Sequence, residues 1–430
     1  MRYQERTAKE GFFGSSTPSA KLPVKASTAP RHTPGAPGGA RPGHRGHGRR
    51  GVPAEQADRV VFIPGAQTCP ECGGALHEKG CRERTVIDVE PLRRQTIHYR
   101  LQGKYCPRCR RAVQPRAPGV WPRHLLGNRL LAHAAVQHYV FGVTLGQLET
   151  QLGVGNGTLH GALRQLAERL APACDQLRQD YRAAPVRHAD ETGWRTDGGN
   201  GYAWLFCTEQ LSLFRFRQTR SGQVAQEVLG AQPLAGVLVV DRYNGYNRAP
   251  CRLQYCHAHL LREVQDLEQE FPGEAEVLVF VSLFAPLLTA AMKLRGRALG
   301  PAEFRAEACQ LRERIIDWSD NAARHPGVQR VQNIFRENPA RLYHWAENAQ
   351  VPADNNFAER ALRPLVIARK ISFGSQSEQG ARTREVLMSL LHTLRKRGGD
   401  TTASFARTLN ALAADNSLNP YDAVFKLDTS

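Results

Sequence analysis

The chain has 430 residues, enough for about two to four domains, and 41% of them are hydrophobic, enough for a sizeable core. Lys and Arg number 58 against 40 Asp and Glu, a formal charge of +18. That surplus favours a polyanionic partner, nucleic acid or an anionic membrane surface, with general solubility the plain alternative. The polar N-terminus lacks the apolar segment of a secretory signal, so a cytoplasmic, nucleoid-associated location and no membrane partner are expected.

Residues 1–55 are rich in Gly, Pro, Ser and Ala, and up to Arg50 they hold ten Lys/Arg and two Glu. Such a segment cannot bury enough apolar surface to order itself, so a disordered basic arm is expected there. Arg41–Arg50 (R-P-G-H-R-G-H-G-R-R) either lies along phosphates or is a solvated linker.

Residues 56–118 read as a zinc ribbon. Cys69-x-x-Cys72 and Cys106-x-x-Cys109 sit in C-P-E-C-G-G and C-P-R-C, and the segments between them read as a β-hairpin. Four thiolates close a tetrahedral structural Zn²⁺ site with no open position for catalysis. His77 and Cys81 are spare ligands.

Residues 119–184 read as helical, with a helix-turn-helix-like outline. Leu145, Leu148 and Leu152 mark one helix, Gly153 stops it, and Leu159, Leu163 and Leu166 mark the next. Any αα-hairpin shares this spacing, so DNA recognition and a plain hairpin both stay open.

From Val186 the pattern changes. V-R-H-A-D-E-T-G-W-R-T is a strand containing Asp190, T-D-G-G-N-G a turn, Y-A-W-L-F-C-T and S-L-F-R-F-R-Q two more strands, and S-G-Q-V-A-Q-E-V-L-G a short helix. G-V-L-V-V-D is an apolar strand ending at Asp241, R-L-Q-Y-C a possible fifth strand, and a helix begins near His257. Three antiparallel strands, a crossover helix and a buried parallel strand form the ribonuclease H-like plan. A right-handed crossover puts the fourth strand beside the first, so Asp190 and Asp241 would share a divalent cation. Glu191 is a rival to Asp190, but alternation points it to the other face.

The run Val277–Met292 falls short of the roughly 20 residues of a membrane helix and contains Pro286, so a buried core helix is expected. Downstream, Asn355–Lys370 (N-N-F-A-E-R-A-L-R-P-L-V-I-A-R-K) carries Glu359 among arginines. On an ideal helix Arg363 lies about 40° and Lys370 about 20° around from Glu359, so the three share a face unless Pro364 kinks it. The expected architecture is thus α+β and multidomain. A ribonuclease H-like catalytic core over 185–397 is interrupted by an α-helical insertion at about 260–351, and a helical tail fills 398–430.

Three carboxylates on such a core suit hard cations, Mg²⁺ or Mn²⁺. Two ions about 4 Å apart activate an attacking oxygen and stabilise a leaving one. Arg360, Arg363, Arg369 and Lys370 beside the third acid would hold DNA phosphate. Each acid alone has a plain reading, a strand-end cap or a surface helix pair; the set in this order is harder to dismiss.

H-A-D-E-T-G-W, D-R-Y-N-G-Y, C-H-A-H-L-L-R-E and N-N-F-A-E-R-A-L-R-P-L-V-I-A-R-K-I-S-F-G-S together resemble the bacterial insertion sequence 66 transposases, over most of the chain from about Ala36. The resemblance implies a DDE transposase that binds element ends and cleaves and transfers DNA strands, with the triad on Asp190, Asp241 and Glu359. It also implies two small companion proteins of the same element, and joining two ends suggests a homo-oligomer on DNA. Cys256-x-x-His259 matches a family motif, as a second metal site or as a packed Cys and a capping His. The rival readings are a non-catalytic zinc-ribbon/helix-turn-helix DNA-binding protein and a nuclease that only hydrolyses.

Overall fold

The computed structural model describes residues 54–56, 60–61, 67, 71–75, 94–108, 110–113, 115–121 and 124–427. Two compact units make up the chain, a small one within Val24–Gln95 and a large one that includes everything from Thr96. The expected basic arm up to residue 53, Cys69, Cys109, His77 and Cys81 all lie outside the described residues. In the small unit Cys72 is exposed in a turn. In the large unit, strands β1 (Lys104–Cys106) and β2 (Arg111–Val113) pair antiparallel around the second C-x-x-C, with Cys106 opposite Arg111. The hairpin was expected upstream of this. Its first strand is not among the described residues, and of its second only Lys104 and Tyr105 are in a strand.

Three helices follow: α1 (Asn128–Tyr139), α2 (Leu145–Leu152) and α3 (Asn156–Ala183). Thr144 caps α2 through a capping box with Gln147, and Gly153 ends it with φ 59°, so local chemistry sets both boundaries. Leu148, Leu152 and Leu159 close a small core with Ala134. The second helix of the pair is 28 residues long, and its first turn (Asn156, Gly157, Thr158) is exposed.

A five-stranded mixed sheet occupies the centre, in the order β5-β4-β3-β6-β7. Its strands are β3 (Val186–Thr196), β4 (Gly199–Cys207), β5 (Ser212–Arg217), β6 (Val237–Val240) and β7 (Arg252–Tyr255). β3, β4 and β5 form an antiparallel meander; Asp197 and Gly198, both at positive φ (50° and 72°), make the tight turn between the first two. The chain then crosses through α4 (Gln223–Leu229) to β6, which pairs parallel with β3. β6 is buried throughout and entirely Val and Leu, as a strand covered on both faces requires.

After β7 come α5 (His257–Glu270), α6 (Ala275–Leu294), α7 (Pro301–Asp320), α8 (Pro326–Glu337) and the short α9 (His344–Glu347). They enclose an aromatic core in which Phe284 meets Phe280 and Phe335 at ring distances of 4.9 and 5.0 Å. The segment leaves and re-enters the sheet at one place: His257 N–H donates to Ala353 O (2.8 Å) and Asn355 N–H to Cys256 Sγ (3.1 Å). The long apolar run lies within α6, which is continuous through Pro286 and, at 20 residues, long and apolar enough to cross a membrane. Only one face is buried. Leu278, Val279 and Leu283 are 44–53% exposed, so the expected core helix buries one face and leaves the other open.

The chain closes with α10 (Asn356–Ser372), α11 (Glu378–Lys396), α12 (Thr401–Ala414) and α13 (Pro420–Phe425). α10 is continuous through Pro364. Pro364 is half-buried, and Leu362 and Leu365 on either side of it are in the core. This packing holds the helix across the hydrogen bond that proline cannot donate. Thirteen α-helices and a mixed sheet among the described residues make the chain α+β.

Candidate active site

Asp190 lies inside β3, and Asp241 follows the last residue of β6. The parallel register pairs Val186 with Val237 and His188 with Val239, so continuing it by two residues sets Asp190 beside Asp241 on one face. Glu359 arrives in the first turn of α10, which packs on β3 and β4. The three acids feel one another. Burial holds the Asp190 carboxyl well above the ordinary range, and Glu191, Asp241 and Glu359 add to the rise against an opposing N–H bond from Glu191. Burial also raises Glu359; Asp354 and Asp241 push the same way, and Arg262 and Arg363 oppose them.

α10 is fastened along β3 at three levels. At its start Asn355, 1% exposed, accepts from His188 Nδ1 (2.9 Å) and donates through Nδ2 to Ala189 O (2.8 Å). In its last turn, Arg369 Nη1 donates to Thr192 Oγ1 (3.0 Å) and to Gly193 O. At its end Ser375 N–H donates to Arg195 O, Asp197 N–H donates to Ser375 O, and Trp194 Nε1 donates to Ser375 Oγ. Gly374, at φ 132°, allows that last approach, since a Cβ there would stand 2.2 Å from Arg195 O. The distance from Glu359 to Asp190 is therefore set by a helix that cannot slide along its strand.

The opposite face of the sheet supports Asp241. Glu191 points there and is buried, bound by Arg220 (2.6 Å to Oε1) and by the Tyr246 hydroxyl. Tyr243 donates its hydroxyl to Arg220 O and its N–H to Asp241 Oδ1 (3.0 Å). D-R-Y-N-G-Y is thus a loop whose two tyrosines anchor it to the Glu191–Arg220 pair while Asp241 stays on the open side.

Four basic residues were expected to hold DNA. Arg360, Arg363 and Lys370 are exposed on α10. Arg369 is turned inward, 5% exposed and committed to Thr192 and Gly193. Its position on the stripe Ala358, Leu362, Leu365, Arg369 is the core face of the helix, and that periodicity was available as a signal. The nearest cation to Glu359 was not anticipated: Arg262 of α5 lies 3.8 Å from Oε2. His259, also on α5, lies 3.8 Å from Oε1. Nothing local marks either residue as a neighbour of Glu359; the return of the helical segment to its starting point brings them there.

A family model described as Transposase IS66 family matches residues 123–383, which take in both aspartates, the helical segment and Glu359. The chain belongs to the IS66 transposase family. Among its relatives are two proteins of Sinorhizobium fredii. Uncharacterized protein y4jD is 26% identical over 399 residues (83% of this chain, 76% of the relative). Uncharacterized protein y4qI is 26% identical over 404 residues (84% of this chain, 74% of the relative). For an IS66-family transposase DNA is the expected partner, and the net charge of +18 suits it.

Proposed function

We propose that this chain is a DDE transposase that binds the ends of an insertion sequence, cleaves DNA strands and joins them to a target. Asp190, Asp241 and Glu359 are the catalytic acids on a ribonuclease H-like core. What supports this is that β3, the end of β6 and α10 bring the three acids into one electrostatic neighbourhood: burial raises Asp190 and Glu359, and Asp241 raises both further. An all-oxygen donor set carrying excess negative charge fits Mg²⁺ or Mn²⁺.

Asp190, Asp241 and Glu359 would hold the cations, which when bound supply Lewis acidity and a nucleophilic oxygen at neutral pH. The chain's own residues do the rest. Asn355, Arg369 and Ser375 fix the third acid against the first. Arg262 and Arg363 stand beside Glu359 as donors for a phosphate. Arg360 and Lys370 extend the basic surface along α10, and the pair α2–α3 offers an exposed helix start for DNA. Cys69, Cys72, Cys106 and Cys109 are assigned to a structural Zn²⁺.

Asp241→Asn tests the reading. Strand joining from a pre-cut end with Mg²⁺ should fall by at least about 10³-fold, as loss of a main electrostatic element does, while end binding in a mobility-shift assay stays within about twofold. Joining that survives the change removes Asp241 from the site. Cleavage without any joined product, from the wild-type chain, identifies a nuclease instead.

A further inference from the structure

Three side chains that the strand-transfer chemistry leaves over or uses only in part meet where α5 and α10 begin. Cys256 is the residue before α5, His259 is in its first turn, and Glu359 is in the first turn of α10. Their ligand atoms, Sγ, an imidazole nitrogen and a carboxylate oxygen, lie within 4.8 Å of one another. His259 Nδ1 and Glu359 Oε1 are 3.8 Å apart. That is too long for a hydrogen bond, and both atoms are buried without a hydrogen-bond partner among the described residues. Two orphaned polar atoms facing each other cost stability unless something lies between them.

We infer that Cys256, His259 and Glu359 form a site for one borderline-soft divalent cation of the Zn²⁺ class, beside the all-carboxylate set of Asp190, Asp241 and Glu359 and sharing Glu359 with it. A thiolate, an imidazole and a carboxylate are the ligands such a cation selects, whereas Mg²⁺ avoids sulfur. Tetrahedral ligation at about 2.0–2.3 Å places neighbouring ligand atoms roughly 3.3–3.6 Å apart. The 3.8 Å pair needs a shift of a few tenths of an ångström. The scaffold is preformed: Asn355 N–H donates to Cys256 Sγ, and Sγ sits at the start of α5, where N–H groups favour a thiolate. Without a cation, burial keeps the thiol protonated, pushed up to about 12. Binding releases that proton to solvent. The guanidinium groups of Arg242 and Arg262 oppose a cation, and thiolate plus carboxylate balance its two charges. Three protein ligands leave one position open. Glu359 would give Oε1 to this ion and keep Oε2, on the side of Arg262, for the set it shares with the aspartates.

Zinc content of the full chain decides it, measured by mass spectrometry after equilibration with Zn²⁺ and removal of excess. His259→Gln and Cys256→Ser should each carry about one zinc fewer per chain than wild type, the count expected for one set of three protein ligands. Zinc held elsewhere cancels in the difference. His259 is partly exposed and its substitution leaves the core intact, so it decides the matter if Cys256→Ser fails to fold. Equal zinc in wild type and His259→Gln overturns the inference. So does a loss of that same zinc in Asp241→Asn, which would put the ion among the aspartates. The outcome is separable from the proposed function: unchanged zinc in His259→Gln leaves strand transfer untouched, and joining that survives in Asp241→Asn leaves this site untouched.

Discussion

Replacing Asn355 by Ala removes the pin between α10 and β3. The side chain makes two buried bonds, from His188 Nδ1 at 2.9 Å and to Ala189 O at 2.8 Å. Alanine reaches neither, and at 1% exposure water does not substitute. Each stranded group costs about 1–3 kcal/mol, so the variant should lose about 3 kcal/mol in all. In a unit of this size about 1 kcal/mol moves the melting midpoint by about 2–4 °C, which predicts a drop of roughly 6–12 °C by calorimetry. Asn356→Ala is the control. Asn356 keeps its backbone N–H bond to Asp354 Oδ1 whatever its side chain, and its midpoint should move by less than about 2 °C, as surface changes do. Strand joining, assayed where both variants are folded, should fall only for Asn355→Ala. A midpoint for Asn355→Ala within 2 °C of wild type would refute the claim that this residue holds the helix to the strand.

Two further outcomes follow from the same geometry. Gly374→Ala places a Cβ 2.2 Å from Arg195 O at a φ of 132°, and the backbone cannot yield without breaking the Ser375 bonds; urea denaturation should show a loss of about 3 kcal/mol or more. His392 is buried with Nε2 donating to Tyr139 O, and burial lowers its pKa from 6.5 to about 4. The unfolded chain therefore takes up the proton first, so this residue's contribution is complete above about pH 6.5 and drains away as pH falls toward 4. His392→Gln should destabilise by about 2 kcal/mol less at pH 5 than at pH 7.5, and a gap independent of pH would show that His392 already carries its proton in the fold.

Much of the central sheet could be read directly. V-R-H-A-D-E-T-G-W-R-T spans β3 without a residue's error, because Pro185 before it and the Asp-Gly-Gly turn after it leave little choice of boundary. The adjacency of Asp190 and Asp241 followed from strand order and handedness, and the reversal of Glu191 from the two-residue pleat. Pro286 and Pro364 both sit inside continuous helices, as the helical readings of those segments had it; the possible kink at Pro364 could not be weighed locally, because the packing that offsets a missing donor comes from distant residues. Arg369 was assigned to phosphate by its charge, whereas its helical phase with Leu362 and Leu365 puts it in the core. Asn355 had no legible role at all. Its partners lie 166 and 167 positions away, and only the completed fold brings a carbonyl and an imidazole to its amide.

The stretch from α5 to α9 begins and finishes at a single junction, where Cys256 meets Asn355 and His257 meets Ala353. Its length is therefore free of the acids' spacing. Kindred chains could shorten, enlarge or exchange the part of this lobe beyond α5, as one swaps the head of a tool, and keep the cutting edge unaltered so long as both stumps of the joint and the His259–Arg262 turn remain.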